Sequence, residues 1–216
     1  MDDECAVHLA GYCFGGSLAL KIAAQLTDAR VSVLSTTLID TSAPVPEHAQ
    51  AMETHTLLGL CVYDLSAGAI SGSSFANELS LLSPGCGRTR CAQELVAHQV
   101  CTDETAGEKL LEDALAQLAI ASTMQSHLSM PSSLQTPITL VRACDDWPYA
   151  YLYNPHQRMD MGWGFLYDDP AAVRVLSTPG DHCTVLTEQY ASALAELLAV
   201  IFTGNVRDTE SVSLCP

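Results

Sequence analysis

Residues 8–16 read HLAGYCFGG, and this stretch decides the fold of the chain. Before it, residues 5–10 form a short apolar run that ends at a glycine, which is typical of a buried β-strand. After it, residues 17–26 are rich in alanine, leucine and isoleucine. Leu18 and Ile22 stand four residues apart there, which predicts a helix with both side chains on one apolar face. We therefore expect a strand, a sharp glycine-rich turn and a helix, in that order.

The turn carries a candidate nucleophile. The spacing Gly11-x-Cys13-x-Gly15 matches the G-x-S-x-G nucleophile elbow with cysteine in place of serine. We expect glycine at positions 11 and 15 because larger side chains would clash where strand and helix nearly touch. Cys13 would lie at the helix N-terminus, where the dipole favours a thiolate, and the backbone N–H of Phe14 would face a developing oxyanion. The alternative is a glycine-rich turn with a buried cysteine and no chemistry.

The rest of the chain repeats the alternation of strand and helix. Strands are predicted at 31–39, 138–143 and 173–176, and a closing helix at 185–202. Such alternation predicts an α/β fold with a parallel sheet. Ligands of such sheets bind beyond the carboxyl ends of the strands.

A helical insertion interrupts this alternation at about 47–135. Helical patterns lie near 48–63, 90–100 and 107–128, and the Gly/Ser-rich stretch 66–74 is expected to be a mobile joint. Residues 1–203 are therefore expected to form one domain with this insertion. The polar tail 204–216 is predicted to be disordered.

A histidine and two aspartates follow the later strands. His182 comes after the last predicted strand, where it could serve as the base for Cys13. Asp40 ends the strand after the elbow, and Asp145 (or Asp146) ends the third strand. Either position could orient the imidazole through its Nδ1–H. The alternative for these carboxylates is a structural role in a turn or a solvated loop.

Composition excludes several classes of function. The 216 residues carry 9 Lys and Arg against 25 Asp and Glu, a formal net charge of −16, which disfavours nucleic acid as a partner. No stretch approaches the ~20 apolar residues of a membrane span. The acidic start, Met1 to Glu4, is unlike a secretory or transit peptide, so we expect a cytoplasmic protein. The nine irregularly spaced cysteines are then expected to be reduced thiols, and no metal site is predicted.

These residues together resemble the thioesterase domains that end nonribosomal peptide and polyketide synthases, which belong to the α/β-hydrolase superfamily. The resemblance runs in order through residues 8–16, Thr37–Asp40, Ile138–Arg142, Trp163 and Pro179–Leu186. It implies a catalytic triad of Cys13, Asp40 and His182. Related stand-alone thioesterases take their acid from the later strand, which leaves Asp145 as an alternative.

The resemblance also implies a substrate and a partner. The substrate would be an acyl or peptidyl chain held as a thioester on the phosphopantetheine arm of a carrier protein. Hydrolysis or cyclisation would release it, and no other cofactor is implied. The insertion at 47–135 would form a lid over an acyl channel.

Two features depart from the family pattern. Cysteine stands at position 13 where the family normally has serine, although cysteine variants belong to the resemblance too, so the acyl-enzyme would itself be a thioester. The elbow begins at residue 11, which leaves no room before it for the family's first strands or for the second oxyanion donor. We therefore expect the C-terminal part of the fold, with weak activity. A partner chain or upstream segment is expected to supply the missing strands along the unpaired edge of the first strand.

Two other interpretations remain open at this stage. Dienelactone hydrolases also carry a G-x-C-x-G-G elbow, although the long insertion is unlike them. A truncated domain without activity, which only binds a carrier protein, is the non-enzyme alternative.

Overall fold

The computed structural model describes residues 6–44, 54–70, 72–127, 136–145 and 159–204. The chain divides into two compact units, one built on a sheet and one built of helices. Of the described residues, 6–44, 125–127, 136–145 and 159–204 belong to the sheet unit, and 54–70 and 72–124 belong to the helical unit. Asp146, Cys5 and Cys215 lie outside the described residues. Of the predicted tail, 204–216, only Gly204 is described.

The sheet unit holds four parallel strands in the order β1-β2-β3-β4. They are β1 Ala6–Tyr12, β2 Ser32–Ile39, β3 Ile138–Ala143 and β4 Val173–Thr178. Helix α1, Phe14–Asp28, follows β1, and the last helix, α6, spans Glu188–Thr203. The predicted α/β fold with a parallel sheet is confirmed, and every predicted strand lies within two residues of its observed bounds.

Both faces of the central strands are buried. On one face, Leu38 and Leu140 pack with Trp163, whose side chain is fully buried. On the other, Ile39 and Val141 pack against α6. Successive side chains of a strand point to opposite faces, so a strand covered on both sides is apolar throughout. This explains why Leu38 and Ile39 of β2, and Leu140 and Val141 of β3, are adjacent apolar residues instead of alternating with polar ones.

Strand β1 forms one edge of this sheet. Within the described residues it pairs with β2 alone, and its side chains at Ala6, His8 and Ala10 are exposed. Beside it, Leu18 and Ile22 of α1 are 40% and 37% exposed. The sequence correctly placed them on one apolar face, but that face is not the one that packs on the sheet.

The buried face of α1 is made of smaller side chains. Gly16, Ser17, Ala19 and Ala23 are buried there with Leu20. Small residues let the helix axis approach the sheet closely, whereas a stripe of leucine and isoleucine would hold it away. Hydrophobicity alone therefore indicates the wrong face of this helix.

The helical unit contains α2 Thr54–Leu65, α3 Gly72–Ser80, α4 Pro84–Ala97 and most of α5, Glu104–His127. Its core includes Leu58, Val62, Leu95 and Leu111. The prediction of three helices with a mobile joint at 66–74 is wrong in one respect, because α3 begins inside that stretch. Phe75 and Leu79 of α3, four residues apart, are buried in the same core, and this packing stabilises a helix that its Gly/Ser-rich start disfavours.

The turn from β1 into α1 is packed too closely for side chains at two positions. A Cβ atom at Gly11 would lie 2.0 Å from the carbonyl oxygen of Gly15, and one at Gly16 would lie 2.1 Å from Oγ1 of Thr41. A Cβ atom at Gly15 would meet nothing within 4 Å. Glycine is therefore required at 11 and 16, and the expectation of a clash at Gly15 is wrong because that position faces open space.

The two neighbouring glycines give a matched pair of variants. We expect Gly16→Ala to lower the free energy of unfolding by ~1–3 kcal/mol, because Thr41 must move to admit the methyl group. Gly15→Ala should be neutral or stabilising by up to ~1 kcal/mol, since alanine favours a helix. Urea unfolding followed by circular dichroism measures both. Equal losses in the two variants would contradict the assignment of the close contact to Gly16.

Candidate active site

Cys13 occupies a backbone conformation that disfavours side chains. It caps α1 with φ 53° and ψ −126°, a left-handed φ that costs ~1–3 kcal/mol outside glycine. Its N–H donates to the carbonyl of Ile39 at 3.0 Å, and its carbonyl accepts from Gly16 N–H at 3.0 Å. The pairing of β1 with β2 thus continues one residue into the turn and holds Cys13 at the carboxyl edge of the sheet.

Phe14 is the first residue of α1. The N–H groups of a first helical turn have no partner within the helix, so that of Phe14 points out of the helix beside Cys13. Such a donor suits an oxygen that gains negative charge during attack on a carbonyl.

Asp40 lies directly after β2 and is 3% exposed. Its N–H donates to the carbonyl of Val141 at 2.8 Å, and its Oδ1 accepts from the N–H of Ala143 at 2.9 Å. The second oxygen, Oδ2, lies 2.8 Å from Nδ1 of His182. The end of β3 therefore orients the carboxylate, which in turn contacts the imidazole.

His182 lies in the loop between β4 and α6, with its side chain 14% exposed. Burial opposes the charged ring, but hydrogen bonds with Asp40 and with the Cys13 side chain outweigh burial and raise the pKa of His182 to about 10. The structure thus brings Cys13, Asp40 and His182 together, with the Asp40 carboxylate hydrogen-bonded to the ring and the Cys13 side chain close enough to interact with it. Such a ring can take a proton from a thiol and keep it.

Asp145 lies at the base of the histidine loop. Its N–H donates to the carbonyl of Gly180 at 2.9 Å, and its Oδ2 accepts from Gly180 N–H at 3.2 Å. These bonds hold the backbone two residues before His182. The carboxylate observed against the ring is that of Asp40, whereas the Asp145 carboxylate binds the loop.

The histidine loop is also closed by its own residues. Asp181 is 6% exposed, and its Oδ1 accepts from the N–H groups of Cys183 and Thr184 at 3.0 and 2.9 Å. Gly180 has φ +98°, and a Cβ there would lie 3.0 Å from the ring of Tyr190. The loop therefore requires a glycine directly before Asp181.

Sequence reasoning did not assign a role to Tyr12. Its hydroxyl donates to the backbone carbonyl of His182, and its ring stacks on the imidazole with centroids 5.2 Å apart. Its position beside Cys13 could be seen in the sequence, but no short-range pattern indicated a contact 170 residues away.

The other cysteines differ from Cys13 in their surroundings. Burial raises the pKa of Cys61 and of Cys91 to about 12, which makes them poor nucleophiles. Cys86 is an exposed free thiol. Cys144 is disulfide-bonded, so the expectation that all nine cysteines are reduced is wrong at this residue.

The described ranges contain neither a cluster of metal-ligating side chains nor a membrane-spanning helix. No group of three or more His, Cys, Asp and Glu side chains there could hold a metal ion. None of the helices described is both long and apolar enough to span a bilayer.

Comparison with known proteins identifies relatives of this arrangement. A family model described as "Thioesterase domain" matches residues 1–201. Among solved structures, holo-AB3403, a four-domain nonribosomal peptide synthetase bound to AMP and glycine, is 25% identical with a TM-score of 0.66. The match covers 94% of this chain and 15% of that one. No curated protein sequence matches the chain.

A second solved structure shares the fold. The wild-type Vlm2 thioesterase domain is 18% identical with a TM-score of 0.50, and the match covers 89% of this chain and 67% of that domain. The chain thus spans about a sixth of the synthetase and two thirds of the Vlm2 domain.

The two candidate acids can be separated through the histidine. Asp40→Asn should lower the pKa of His182 from about 10, because burial would then oppose the charged ring without the carboxylate. Asp145→Asn should leave that pKa near its wild-type value. An NMR titration of the ring protons of His182 measures both variants. A larger drop in Asp145→Asn than in Asp40→Asn would refute Asp40 as the partner of the ring.

Proposed function

The chain belongs to the thioesterase-domain family, and we propose that it releases an acyl or peptidyl chain from a carrier-protein thioester through an acyl-enzyme on Cys13. One observation carries the proposal. The Asp40 carboxylate lies 2.8 Å from Nδ1 of His182, and the Cys13 side chain interacts with the same ring, beyond the carboxyl ends of β2, β4 and β1. Ligands of parallel sheets bind at this edge.

In the proposed first step, His182 takes the proton of the Cys13 thiol. The thiolate attacks the thioester carbonyl, and the N–H of Phe14 stabilises the resulting oxyanion. The intermediate collapses by breaking the bond to the pantetheine sulfur, which leaves with the proton held by His182. The acyl chain is then bound to Cys13 as a new thioester.

In the second step, His182 removes a proton from water or from a hydroxyl or amine of the acyl chain itself. That nucleophile attacks the Cys13 thioester, and the bond to the Cys13 sulfur breaks as the sulfur recovers its proton. Water gives hydrolysis, and an internal nucleophile gives cyclisation. Because a cysteine acyl-enzyme is itself a thioester, its acyl group stays as activated as in the substrate, which helps a weak nucleophile.

Asp40 would act throughout by orienting the ring. Its Oδ2 keeps the proton of His182 on Nδ1, so that Nε2 is the nitrogen that exchanges protons with Cys13. Its Oδ1 is held by Ala143 N–H, which prevents the carboxylate from turning away. The similarity to a nonribosomal peptide synthetase over 94% of this chain supports a carrier protein as the partner.

The acyl-enzyme can be observed directly. Incubation with an acyl-pantetheine thioester should add one acyl mass to the chain, and peptide mapping should place it on Cys13. Cys13→Ala should abolish the adduct, and His182→Ala should slow its formation by ~10²–10⁴, the usual contribution of a general base. Intact-protein mass spectrometry over time measures this rate.

The control for this experiment is Cys86→Ala, which removes an exposed free thiol and should leave acylation unchanged. Labelling spread over several cysteines, or unaffected by His182→Ala, would contradict the proposal and support the inactive carrier-binding domain. Turnover of a dienelactone without turnover of the thioester would favour the dienelactone hydrolase interpretation.

We also infer that a strand from a partner chain or an upstream segment pairs with β1. Among the described residues β1 pairs with β2 only, and an open edge of this kind readily takes up another strand. Leu18 and Ile22 are exposed on α1, the helix that packs on β1, and would offer the same partner apolar surface. Without that partner, the isolated chain should associate with itself through the edge and turn over substrate slowly.

The double variant Leu18→Lys, Ile22→Lys should reduce self-association, because two charges would have to be buried in the contact. The matched control is Leu81→Lys, which changes a leucine that is 86% exposed in the helical unit and should have no effect. Sedimentation velocity measures the distribution of species. A monodisperse wild-type monomer with full thioesterase turnover would overturn the inference.

A further inference from the structure

We propose that Tyr12 is a positioning residue that sets the distance and angle between the Cys13 thiol and the His182 ring. This inference rests on the proposed function, since it concerns the same nucleophile and base. It assigns Tyr12 a role through His182, without contact to the substrate.

Tyr12 is connected to both reacting residues. It is the last residue of β1 and directly precedes Cys13, and its backbone is in register with Ile39 of β2. Its hydroxyl donates to the backbone carbonyl of His182, 170 residues away along the chain. Tyr12 is thus bonded covalently to the nucleophile and hydrogen-bonded to the base.

The aromatic ring supplies a second constraint. The rings of Tyr12 and His182 lie 5.2 Å apart at an interplanar angle of 30°, a stacked arrangement. Tyr12 also packs against the buried cluster between the sheet and α6 that contains Val141 and Leu197. The surface on which the imidazole rests is therefore itself held in place by the core.

Three contacts restrain different motions of His182. The hydrogen bond that Nδ1 of His182 donates to Asp40 fixes one ring atom and leaves the ring able to swing about that contact. Stacking on Tyr12 restrains the plane of the ring. The bond from the Tyr12 hydroxyl to the carbonyl of His182 restrains the backbone that carries it.

Other contacts of the loop involve its backbone. Asp145 holds Gly180, and the Asp181 carboxylate accepts from N–H groups inside the loop itself. These bonds shape the loop, but they do not tie it to the strand that carries Cys13. Tyr12 ties it to that strand, and a 1 Å error in placing a catalytic group can cost roughly 10² in rate.

Two variants of Tyr12 separate the effect of its hydroxyl from the effect of its ring. Tyr12→Phe keeps the stacked ring and loses the hydroxyl, and we expect acylation of Cys13 to slow about tenfold, the rate equivalent of one hydrogen bond. Tyr12→Leu loses both contacts, and we expect a loss of roughly 10². In both variants kcat should fall while KM for the acyl-pantetheine thioester stays within about twofold, because Tyr12 does not bind substrate.

The matched control is Tyr167→Phe. The Tyr167 hydroxyl donates to the backbone carbonyl of Thr136 at 2.7 Å, so this variant loses a bond of the same kind in the same unit. This variant should lower the midpoint temperature of thermal unfolding by as much as Tyr12→Phe does, and it should leave kcat unchanged. NMR of the His182 ring protons adds a readout that needs no activity, since loss of the stacked ring in Tyr12→Leu should move their chemical shifts.

The outcomes distinguish this inference from the proposed function. A wild-type chain that forms no Cys13 adduct, yet shows the shifted His182 signals in Tyr12→Leu, refutes the proposed function and keeps the structural role of Tyr12. Wild-type rates and His182 signals in both variants overturn the inference. The inference is also overturned if activity falls only in proportion to the loss of stability and falls equally in Tyr167→Phe.

Discussion

The contact between the Asp40 carboxylate and the His182 ring is the constraint on which the site depends. It joins two residues 142 positions apart and is available only because β2 and β4 lie in one parallel sheet with β3 between them. The other carboxylate oxygen of Asp40, Oδ1, accepts a hydrogen bond from the N–H of Ala143 at the end of β3. Three strands thus have to be in register before the ring faces Cys13, so the fold and the site form together.

The same edge of the sheet carries strain at Cys13. The left-handed φ of this cysteine costs free energy, and the bonds of Cys13 to Ile39 and Gly16 compensate for it. The close approach of Gly16 to Thr41 is a consequence of the same sharp turn. The strained backbone at Cys13 and the lack of side chains at Gly11 and Gly16 are therefore consequences of one sharp turn.

Much of this arrangement could be predicted from short stretches of sequence. The strands are short runs rich in apolar and β-branched residues, and the elbow has a fixed spacing, so local patterns were enough to predict the parallel sheet and to single out Cys13 and His182. They left Asp40 and Asp145 as alternative acids, and only the family resemblance favoured Asp40. What could not be predicted depends on long-range packing: the need for glycine at 16 instead of 15, the helix α3, the buried face of α1 and the contact of Tyr12. Each is decided by a neighbour distant in the chain, such as Thr41 for Gly16.

The central claim is that the sulfur of Cys13 and the ring of His182 lie within reach of each other. A short bifunctional alkylating agent, 1,3-dichloroacetone, tests it directly, because its two reactive carbons can bridge a cysteine and a histidine only when these are neighbours. Peptide mapping by mass spectrometry should recover one cross-link, between Cys13 and His182, and His182→Gln should remove it. Alkylation of Cys13 without a cross-link, or a cross-link to any other histidine, would contradict the account.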